Sequence, residues 1–402
     1  MNVIGIVAEY NPFHTGHAYQ IAQSRAQLGE SAPVVAVMSG NWVQQAHCAV
    51  ADKWSRARLA LMGGADLVLE LPTVFACSSA EKFAQGAVDI LAATGVVTHL
   101  SFGSECGDVD KLQRLAACLG SPAYDETVRR FADMGLPFAT CRQWAAEELL
   151  GEELGRLLAN PNNNLGVEYV KALTALKSTI QPMTVRRRGA AHNSISTEKL
   201  PFLSATQIRQ ELYAGRPEHA EPWLIPGSLP FLTELPGLER IERVLLAKVR
   251  TMTAEDWGKL PDSGAAEGLP QRLEKAGKQC RSMAEFYEQV KTKRYPHARL
   301  RRLVLWAYLG LTETDRPEYA PYIRVLGFNQ RGQALLKQMK RAAALPVLTK
   351  PAHARKLEPF ARDFFALESR CTDLYDLCFE HIPVPGREYT TDVVRMGGAG
   401  DE

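Results

Sequence analysis

The chain lacks several features that would assign it to a specialised class of protein. No apolar run in its 402 residues approaches the roughly 18 that a membrane span needs. The first ten residues have no basic stretch and reach Glu9 at once, so we expect no signal peptide. The eight cysteines form no CxxC pair and no zinc-type spacing with histidine, which favours reduced thiols in a cytoplasmic protein.

Internal repeats and low-complexity tracts are also missing, which excludes solenoid architectures. The composition, 46% hydrophobic and 23% charged, is that of a soluble globular protein. A chain of 402 residues is long enough for two domains with ordinary cores.

The net charge of +2 conceals an uneven distribution. Between Lys291 and Lys356 there are 15 lysine and arginine residues and only three acids, whereas the rest of the chain has more acids than bases. A basic segment on an otherwise acidic protein favours a nucleic acid partner over a merely solvated helical face. Contacts of this kind predict strongly salt-dependent binding.

Short apolar runs alternate with helical patterns in the first half, which predicts an α/β fold with a Rossmann-like parallel sheet. We expect its strands near residues 3–7, 33–38, 66–71, 99–102 and 183–187. From about residue 238 the pattern becomes helical, with basic helices expected at 299–309 and 333–344. We therefore predict a ligand-binding catalytic domain over residues 1–230 and a mostly α-helical, basic domain over residues 231–402.

A histidine-rich segment follows the first predicted strand and leads directly into a helix. Ligands of open α/β sheets bind beyond the carboxyl ends of the strands, and helix N-termini favour phosphate. His14 and His17 lie three residues apart, so both imidazoles can point to one side of the first helical turn. Gly16 between them removes a side chain where the backbone or a ligand must approach closely. The pattern predicts that both histidines are catalytic in phosphate chemistry.

A second candidate phosphate site lies at the start of a later helix. Ser204-Ala205-Thr206-Gln207-Ile208-Arg209 combines two hydroxyls with an arginine one turn on. By itself this pattern is typical of an ordinary helix cap. As a partner of the histidine segment, it predicts that Thr206 and Arg209 are catalytic residues that hold phosphate.

His14-Thr15-Gly16-His17 resembles the HxGH signature of the nucleotidyltransferase superfamily, which shares its fold and ATP site with class I aminoacyl-tRNA synthetases. Ser204–Arg209 resembles the second phosphate motif of that superfamily. Further segments narrow the resemblance, over nearly the whole chain, to the bacterial tRNA(Met) cytidine acetate ligase family. These segments are Val7–His17, Met38–Asn41, Phe102–Glu105, Pro161–Tyr169, Lys293–Tyr295 and Tyr322–Gly327.

The resemblance implies an enzyme that uses ATP and acetate to make acetyl-adenylate, with release of pyrophosphate. The acetyl group then passes to the wobble cytidine of elongator tRNA(Met), giving N4-acetylcytidine and AMP. The basic C-terminal segment would bind the tRNA. No carboxylate pair marks a metal site, so we expect Mg²⁺ to be held mainly by ATP.

The resemblance also implies the residues that bind ATP. They are Val7, Ala8, Glu9, Tyr10, Asn11, Pro12, Phe13, His14, Thr15, Gly16, His17, Ala18, Tyr19, Gln20, Gly103, Asn162, Arg187, Arg188 and Ser204. Gly103 would let a base or ribose approach, or is a plain turn glycine. Asn162 suits a base edge or ribose, or closes an Asx turn after Pro161. One arginine of the run 186–188 is expected to be plain surface charge.

One segment departs from the family pattern. Where the family usually reads Gln-Arg-Gly-Glu-Pro-Ala, this chain has Gln44-Gln45-Ala46-His47-Cys48-Ala49. Gln45 replaces an arginine, which puts a contact to acetate, phosphate or tRNA in doubt. Lys53 and Arg56 are nearby cations for which an exposed helical face is favoured. The preceding Ser39–Asn41 is a candidate acetate pocket.

Two other functions use the same residues. A nucleotidyltransferase that adenylylates a small phosphorylated metabolite would share the ATP motifs but would not need the basic domain. A non-enzymatic RNA-binding protein with a vestigial nucleotide site is disfavoured by the intact histidine pair. The sequence gives no sign of a membrane association or of an obligate protein partner, and acetate as acyl donor depends on the resemblance alone.

Overall fold

The computed structural model describes residues 1–187, 202–292 and 295–397. Eight strands in this part of the chain form one sheet in the order β5-β4-β1-β2-β3-β6-β7, with β8 pairing β6. The strands are β1 Ile4–Ala8, β2 Val34–Ser39, β3 Leu67–Leu71, β4 His99–Ser104, β5 Gln181–Arg186, β6 Ile323–Phe328, β7 Val347–Leu348 and β8 Val394–Arg395.

The first five strands are parallel, as the sequence predicts. From β1 the chain runs to β2 and β3 on one side of the sheet, and then returns to β4 and β5 on the other. This reversal of direction opens a crevice between the carboxyl ends of β1 and β4, where ligands of such sheets bind.

Helices pack on both faces of the parallel strands. Those of the first half are α1 Thr15–Leu28, α2 Lys53–Met62, α3 Thr73–Ala76, α4 Ala80–Ala93, α5 Val109–Leu119, α6 Pro122–Asp133, α7 Phe138–Leu150, α8 Glu152–Gly155, α9 Pro161–Ala175 and α10 Ala205–Tyr213. Asp52 caps α2 and Ser79 caps α4, because each side chain accepts a hydrogen bond from a first-turn amide. These side-chain caps fix where the two helices begin.

The second half is mostly helical, which confirms the prediction. Its helices are α11 Pro217–Ala220, α12 Glu242–Thr251, α13 Ala254–Gly258, α14 Leu269–Gln279, α15 Met283–Val290, α16 His297–Leu309, α17 Gln330–Ala342, α18 Pro359–Asp376 and α19 Arg387–Thr390. None of the helices in the described ranges is long and apolar enough to cross a bilayer. All eight cysteines are free thiols.

The second half also supplies β6, which the sequence reading missed. This strand pairs antiparallel with β3, and a bulge lies between Val68 and Leu69. Arg324 interrupts its apolar run, but the side chain is buried and its Nε donates to Glu388 at 3.3 Å. The domain boundary near residue 230 remains a prediction, and the two halves share one sheet.

A buried charge network ties the second half to α2. Lys53 lies 2.7 Å from the Glu70 carboxylate on β3 and also forms an ion pair with Glu388 on α19. Burial by itself lowers the pKa of Lys53, but Glu388 and Glu70 raise it above its ordinary value. The expectation of an exposed helical face at Lys53 and Arg56 is therefore wrong, since both side chains are buried.

The buried carboxylate of Glu368 makes the stability of the fold depend on pH. Glu368 on α18 accepts hydrogen bonds from the backbone N–H and the hydroxyl of Thr73, both at 2.8 Å. Burial, followed by the nearby charge of Glu70, raises the pKa of Glu368 from 4.5 to about 8. Between these values the folded protein holds a proton that the unfolded chain has released. This contribution to stability is therefore complete below pH 4.5 and is lost as the pH rises through 8.

We expect Glu368→Gln, which cannot ionise, to keep its unfolding free energy as the pH rises through this range. Compared with the wild type, its unfolding free energy should rise by about 1.4 kcal/mol for each pH unit between pH 6 and pH 8. Urea unfolding of both proteins at several pH values measures the difference. A difference that does not change with pH would contradict the assignment.

Candidate active site

A cavity of about 1290 Å³ opens beyond the carboxyl ends of β1 and β4. It brings together both predicted motifs, which lie almost 200 residues apart in the chain. The predicted site residues that line it are Val7, Ala8, Glu9, Tyr10, Asn11, His14, His17, Gln20, Gly103, Asn162, Arg187, Ser204, Thr206 and Arg209.

Other predicted residues do not line this cavity. They are Pro12, Phe13, Thr15, Gly16, Ala18 and Tyr19, while Arg188 lies outside the described residues. Phe13 is fully buried, and its ring fills the space that a Cβ at Gly63 would take. The ring of Tyr19 packs against Phe202, with centroids 5.4 Å apart. Phe13 and Tyr19 therefore shape the loop from outside the cavity.

The two histidines hold each other in place at the start of α1. The amide of Gly16 donates to Nδ1 of His14 at 3.0 Å, and the amide of His14 donates to Nδ1 of His17 at 3.2 Å. A ring nitrogen that accepts a hydrogen bond carries no proton. In each neutral imidazole the proton must therefore sit on Nε2, which leaves one N–H donor per ring for a ligand.

Both imidazoles stay neutral at physiological pH. Burial, together with the charges of Arg187 and Arg209, lowers the pKa of His14 to about 3. Burial and the neighbouring His14 and Arg187 hold the pKa of His17 well below its ordinary value. The ring centroids are 3.9 Å apart, so two charged rings would repel strongly. The pair is thus a fixed set of neutral donors and needs no proton uptake before it binds an anion.

This arrangement changes the expected role of the α1 N-terminus. The sequence suggests that first-turn amides contact phosphate. The amide of Gly16 is taken by the His14 ring, and that of His17 donates to the His14 carbonyl at 2.8 Å. The donors presented to a ligand by this turn are therefore mainly the imidazoles.

The position of the His14 ring leaves no room for a side chain at Gly16. A Cβ at residue 16 would lie 2.7 Å from Cε1 and 2.9 Å from Nδ1 of that ring, closer than real contacts allow. We expect Gly16→Ala to displace the imidazole and to lower the ATP-dependent activity expected from the sequence at least about tenfold, with little loss of stability. Steady-state kinetics and thermal unfolding of the variant measure the two effects.

Gly258 offers the matched control for this substitution. It also lies in a helix, α13, but a Cβ there meets nothing within 4 Å. Gly258→Ala should therefore leave turnover unchanged. Equal kinetics for the two variants would contradict the proposed constraint on His14.

Arg209 of the second motif contacts the loop that follows β1. This guanidinium donates to the backbone carbonyl of Asn11 at 2.6 Å and to the hydroxyl of Thr206 at 3.2 Å. Ser204 caps α10, and its hydroxyl accepts from the Gln207 amide at 3.2 Å. The ordinary capping role of Ser204 is thus present, while Thr206 and Arg209 bring a hydroxyl and a cation to the same cavity wall.

Asn162 takes part in hydrogen bonds that join the end of β4 to the start of α9. The Glu105 carboxylate accepts from the Asn162 side chain at 2.7 Å and from the Asn163 amide at 2.8 Å. Asn162 also lines the cavity, so its amide group is held by Glu105 at the cavity wall. Gly103 lies inside β4, and a Cβ there would lie 3.2 Å from Cγ of Arg187. Gly103 is therefore a strand residue that makes room for the arginine, and the turn interpretation is wrong.

The carboxyl ends of β1 and β2 are joined by Arg56. Its guanidinium donates to the backbone carbonyls of Glu9 at 2.6 Å and Ser39 at 3.0 Å, and also to that of Gly40. Ser39 and Asn41 are buried, and the segment 39–41 does not line the cavity. The prediction of an acetate pocket at these residues therefore finds no support in the geometry.

Several cavity residues are not among those assigned to ATP binding from the sequence, although Gln45 was noted there as the replacement of an arginine that could contact acetate, phosphate or tRNA. The loop 43–48 lines the cavity with Gln45 and His47, and Nε2 of His47 lies 3.2 Å from Arg301. Ala46 in this loop has a φ of 59°, the left-handed conformation that suits the glycine of the family pattern. Ala298 and Arg302 of α16 line the same wall. The general basic charge around α16 was visible in the sequence, but nothing local indicated which side chains face the cavity.

Comparisons with known proteins agree with this geometry. A model of the HIGH nucleotidyl transferase family matches residues 1–388. The chain is 36% identical over 420 residues to the tRNA(Met) cytidine acetate ligase of Caldanaerobacter subterraneus subsp. tengcongensis, covering 98% of this chain and 100% of that protein. It is 37% identical over 407 residues to the ligase of the same name from Clostridium kluyveri, covering 95% and 96%.

Solved structures show the same relationship. Thermotoga maritima TmcAL bound with alpha-thio ATP superposes with a TM-score of 0.89 at 33% identity, covering 98% of this chain and 99% of that one. The apo form of that protein gives a TM-score of 0.92, also at 33% identity, covering 98% and 100%.

Proposed function

Since the chain belongs to the tRNA(Met) cytidine acetate ligase family of HIGH nucleotidyltransferases, we propose that it joins acetate to the wobble cytidine of elongator tRNA(Met) at the expense of ATP. The products are N4-acetylcytidine, AMP and pyrophosphate. A cytoplasmic location, where tRNA and ATP meet, follows from these substrates.

The observation that carries the proposal is the convergence of neutral and cationic donors on one cavity. His14 and His17 offer two N–H groups from α1, and Arg209 approaches from α10. Arg187 follows β5 on the same wall. A triphosphate carries several negative charges, and donors fixed before it binds stabilise charge that develops during the reaction.

In the first step an acetate oxygen attacks the α-phosphorus of ATP. A new P–O bond forms, the bond from the α-phosphorus to the α,β-bridging oxygen breaks, and pyrophosphate leaves with that electron pair. His14 and His17 would donate to oxygens of the transferring and leaving groups, while Thr206 and Arg209 would bind the β- and γ-phosphates. Because acetate and ATP are both anions, these donors also reduce the repulsion between the reactants.

In the second step the exocyclic amine of cytidine attacks the acetyl carbonyl carbon. The new C–N bond replaces the bond to AMP, which leaves, and one amine proton is released. Such an amine is a weak nucleophile, so close positioning dominates this step. The tRNA would be held by the basic segment, where α17 exposes Arg331, Lys337, Lys340 and Arg341.

Mg²⁺ would arrive with ATP. No group of three histidine, cysteine, aspartate or glutamate side chains in residues 1–187, 202–292 and 295–397 is arranged to hold a metal ion. A magnesium ion on the triphosphate neutralises part of its charge, and the protein residues bind the remaining oxygens.

Acetate-dependent exchange of labelled pyrophosphate into ATP, without tRNA, tests the first step. Exchange only when acetate is present supports it, and its absence would contradict the proposal. Acetylation of tRNA(Met) transcripts with labelled acetate tests the second step, with a transcript whose wobble cytidine is replaced by uridine as control. Exchange with a phosphorylated metabolite in place of acetate would instead favour a metabolite nucleotidyltransferase.

A further inference from the structure

Arg302 is a cation on the cavity wall whose charge the fold leaves uncompensated. Its Nε is buried and has no hydrogen-bond partner. Among the residues that the structure describes, its guanidinium forms no hydrogen bond and no ion pair. Burial lowers the pKa of Arg302, and Asp262 acts against this without making an ion pair. Arg302 is half-buried, and burying part of an unpaired guanidinium costs free energy, so this group is well suited to take an anion.

The position of Arg302 separates it from His14 and Arg187. The preceding Arg301 contacts His47, in the loop that follows β2, and Trp306 donates to the Cys77 carbonyl at 2.8 Å, beyond β3. His14 follows β1, and Arg187 follows β5, next to β4. Arg302 therefore approaches the cavity from the β2–β3 side, whereas His14 and Arg187 approach it from the β1–β4–β5 side.

The cavity that Arg302 lines also has apolar side chains. Ala298 lies on α16 with Arg302, Val43 belongs to the loop that Arg301 contacts, and Phe83 lines the same cavity. A cation in a cavity with apolar side chains suits a small carboxylate with a short hydrocarbon group. Two other candidates for this task are weakened, because the segment 39–41 is outside the cavity lining and Gln45 carries no charge.

We propose that Arg302 binds the carboxylate of the acyl donor and holds it for attack on the α-phosphorus. This inference rests on the proposed function and extends it by naming the acetate-binding residue. A guanidinium can hold a carboxylate through two parallel N–H donors, and this fixes the orientation of the attacking oxygen. In this chain Arg302 would supply the charge that Gln45 lacks.

The test is pyrophosphate exchange without tRNA, measured as a function of acetate and of ATP. Arg302→Gln should raise the KM for acetate at least tenfold and leave the KM for ATP within about twofold. Arg302→Lys, which keeps the charge but loses the two-pronged geometry, should raise the KM for acetate by a smaller factor. Arg114→Gln removes an equal charge from an exposed position of α5 and should change neither constant.

Thermal unfolding adds a readout that separates binding from a structural role. Because the Arg302 charge is uncompensated, Arg302→Gln should melt at or above the wild-type temperature. A fall of several degrees, together with equal losses for both substrates, would mean a structural role and would overturn the inference. If Arg302→Gln does not fold, the KM values of Arg302→Lys replace this readout. A higher KM for acetate with an unchanged KM for ATP would then support the inference, and unchanged values for both would overturn it.

The remaining outcomes are distinguishable. A wild-type protein without acetate-dependent exchange would overturn the proposed function and this inference with it. An active wild type with an unchanged acetate KM in both variants would overturn the inference alone. If exchange is normal and only the KM for tRNA rises, the oxyanion bound by Arg302 is an RNA phosphate and the assignment to acetate is wrong.

Discussion

Replacing His17 by asparagine should lower acetate-dependent pyrophosphate exchange by about 10²–10³-fold in a protein that remains folded. The Nδ1 atom of His17 accepts the amide of His14 and so shapes the turn, whereas Nε2–H is the donor available to ATP. The asparagine side-chain oxygen can take the place of Nδ1, but no asparagine atom reaches the position of Nε2. The substitution therefore removes the donor and keeps the cap.

Two further substitutions separate the capping role of Nδ1 from the donor role of Nε2–H. His17→Gln places an amide nitrogen near the position of Nε2, so it should recover part of the lost exchange. His17→Ala loses both functions and should cost about 1 kcal/mol of stability in addition to the loss of rate. Near-normal exchange in a folded His17→Asn protein would refute the role of the imidazole.

Lys53→Met should destabilise the protein by about 3–5 kcal/mol, the largest stability effect that we expect from a single substitution. The side chain is almost fully buried, and its ammonium group lies between the carboxylates of Glu70 and Glu388. Removing the cation leaves these carboxylates buried with Arg324 as their nearby counter-charge. Urea unfolding at pH 7 measures the loss.

Lys111→Met is the matched control. Lys111 lies 2.7 Å from Glu153, the same separation as that between Lys53 and Glu70, but this pair is exposed to solvent. Exposed ion pairs contribute little to stability, because water and salt screen them. Equal losses for the two substitutions would show that burial does not set the strength of the Lys53 pairs.

The sequence predicted the parallel part of the fold closely, because its signals are local. Asp52 is a typical N-cap residue, and α2 begins directly after it. By contrast, β6 contains a charged residue in its apolar run. Arg324 is tolerated there because Glu388, more than 60 residues later, accepts a hydrogen bond from it. A pairing over that distance leaves no local pattern.

The contrast between local patterns and long-range pairings also explains which site residues the sequence predicted. The histidine and serine–arginine motifs were recognisable because each is short and combines several chemical groups. Lys53 and Arg56 were misjudged, since partners in distant segments make their burial possible. Arg302 was counted only as part of a basic segment, and its position depends on where α16 packs against the loop 43–48.

The late position of β6 in the chain also affects how the protein is made. β3 emerges from the ribosome about 250 residues before the strand that covers its edge. At typical elongation rates of about 5–20 residues per second, this gap lasts roughly 10–50 s. During that time the nascent chain presents an unpaired apolar edge that can associate with other chains. The sheet is thus complete only near the end of synthesis, and until then the growing polypeptide carries an edge that favours aggregation.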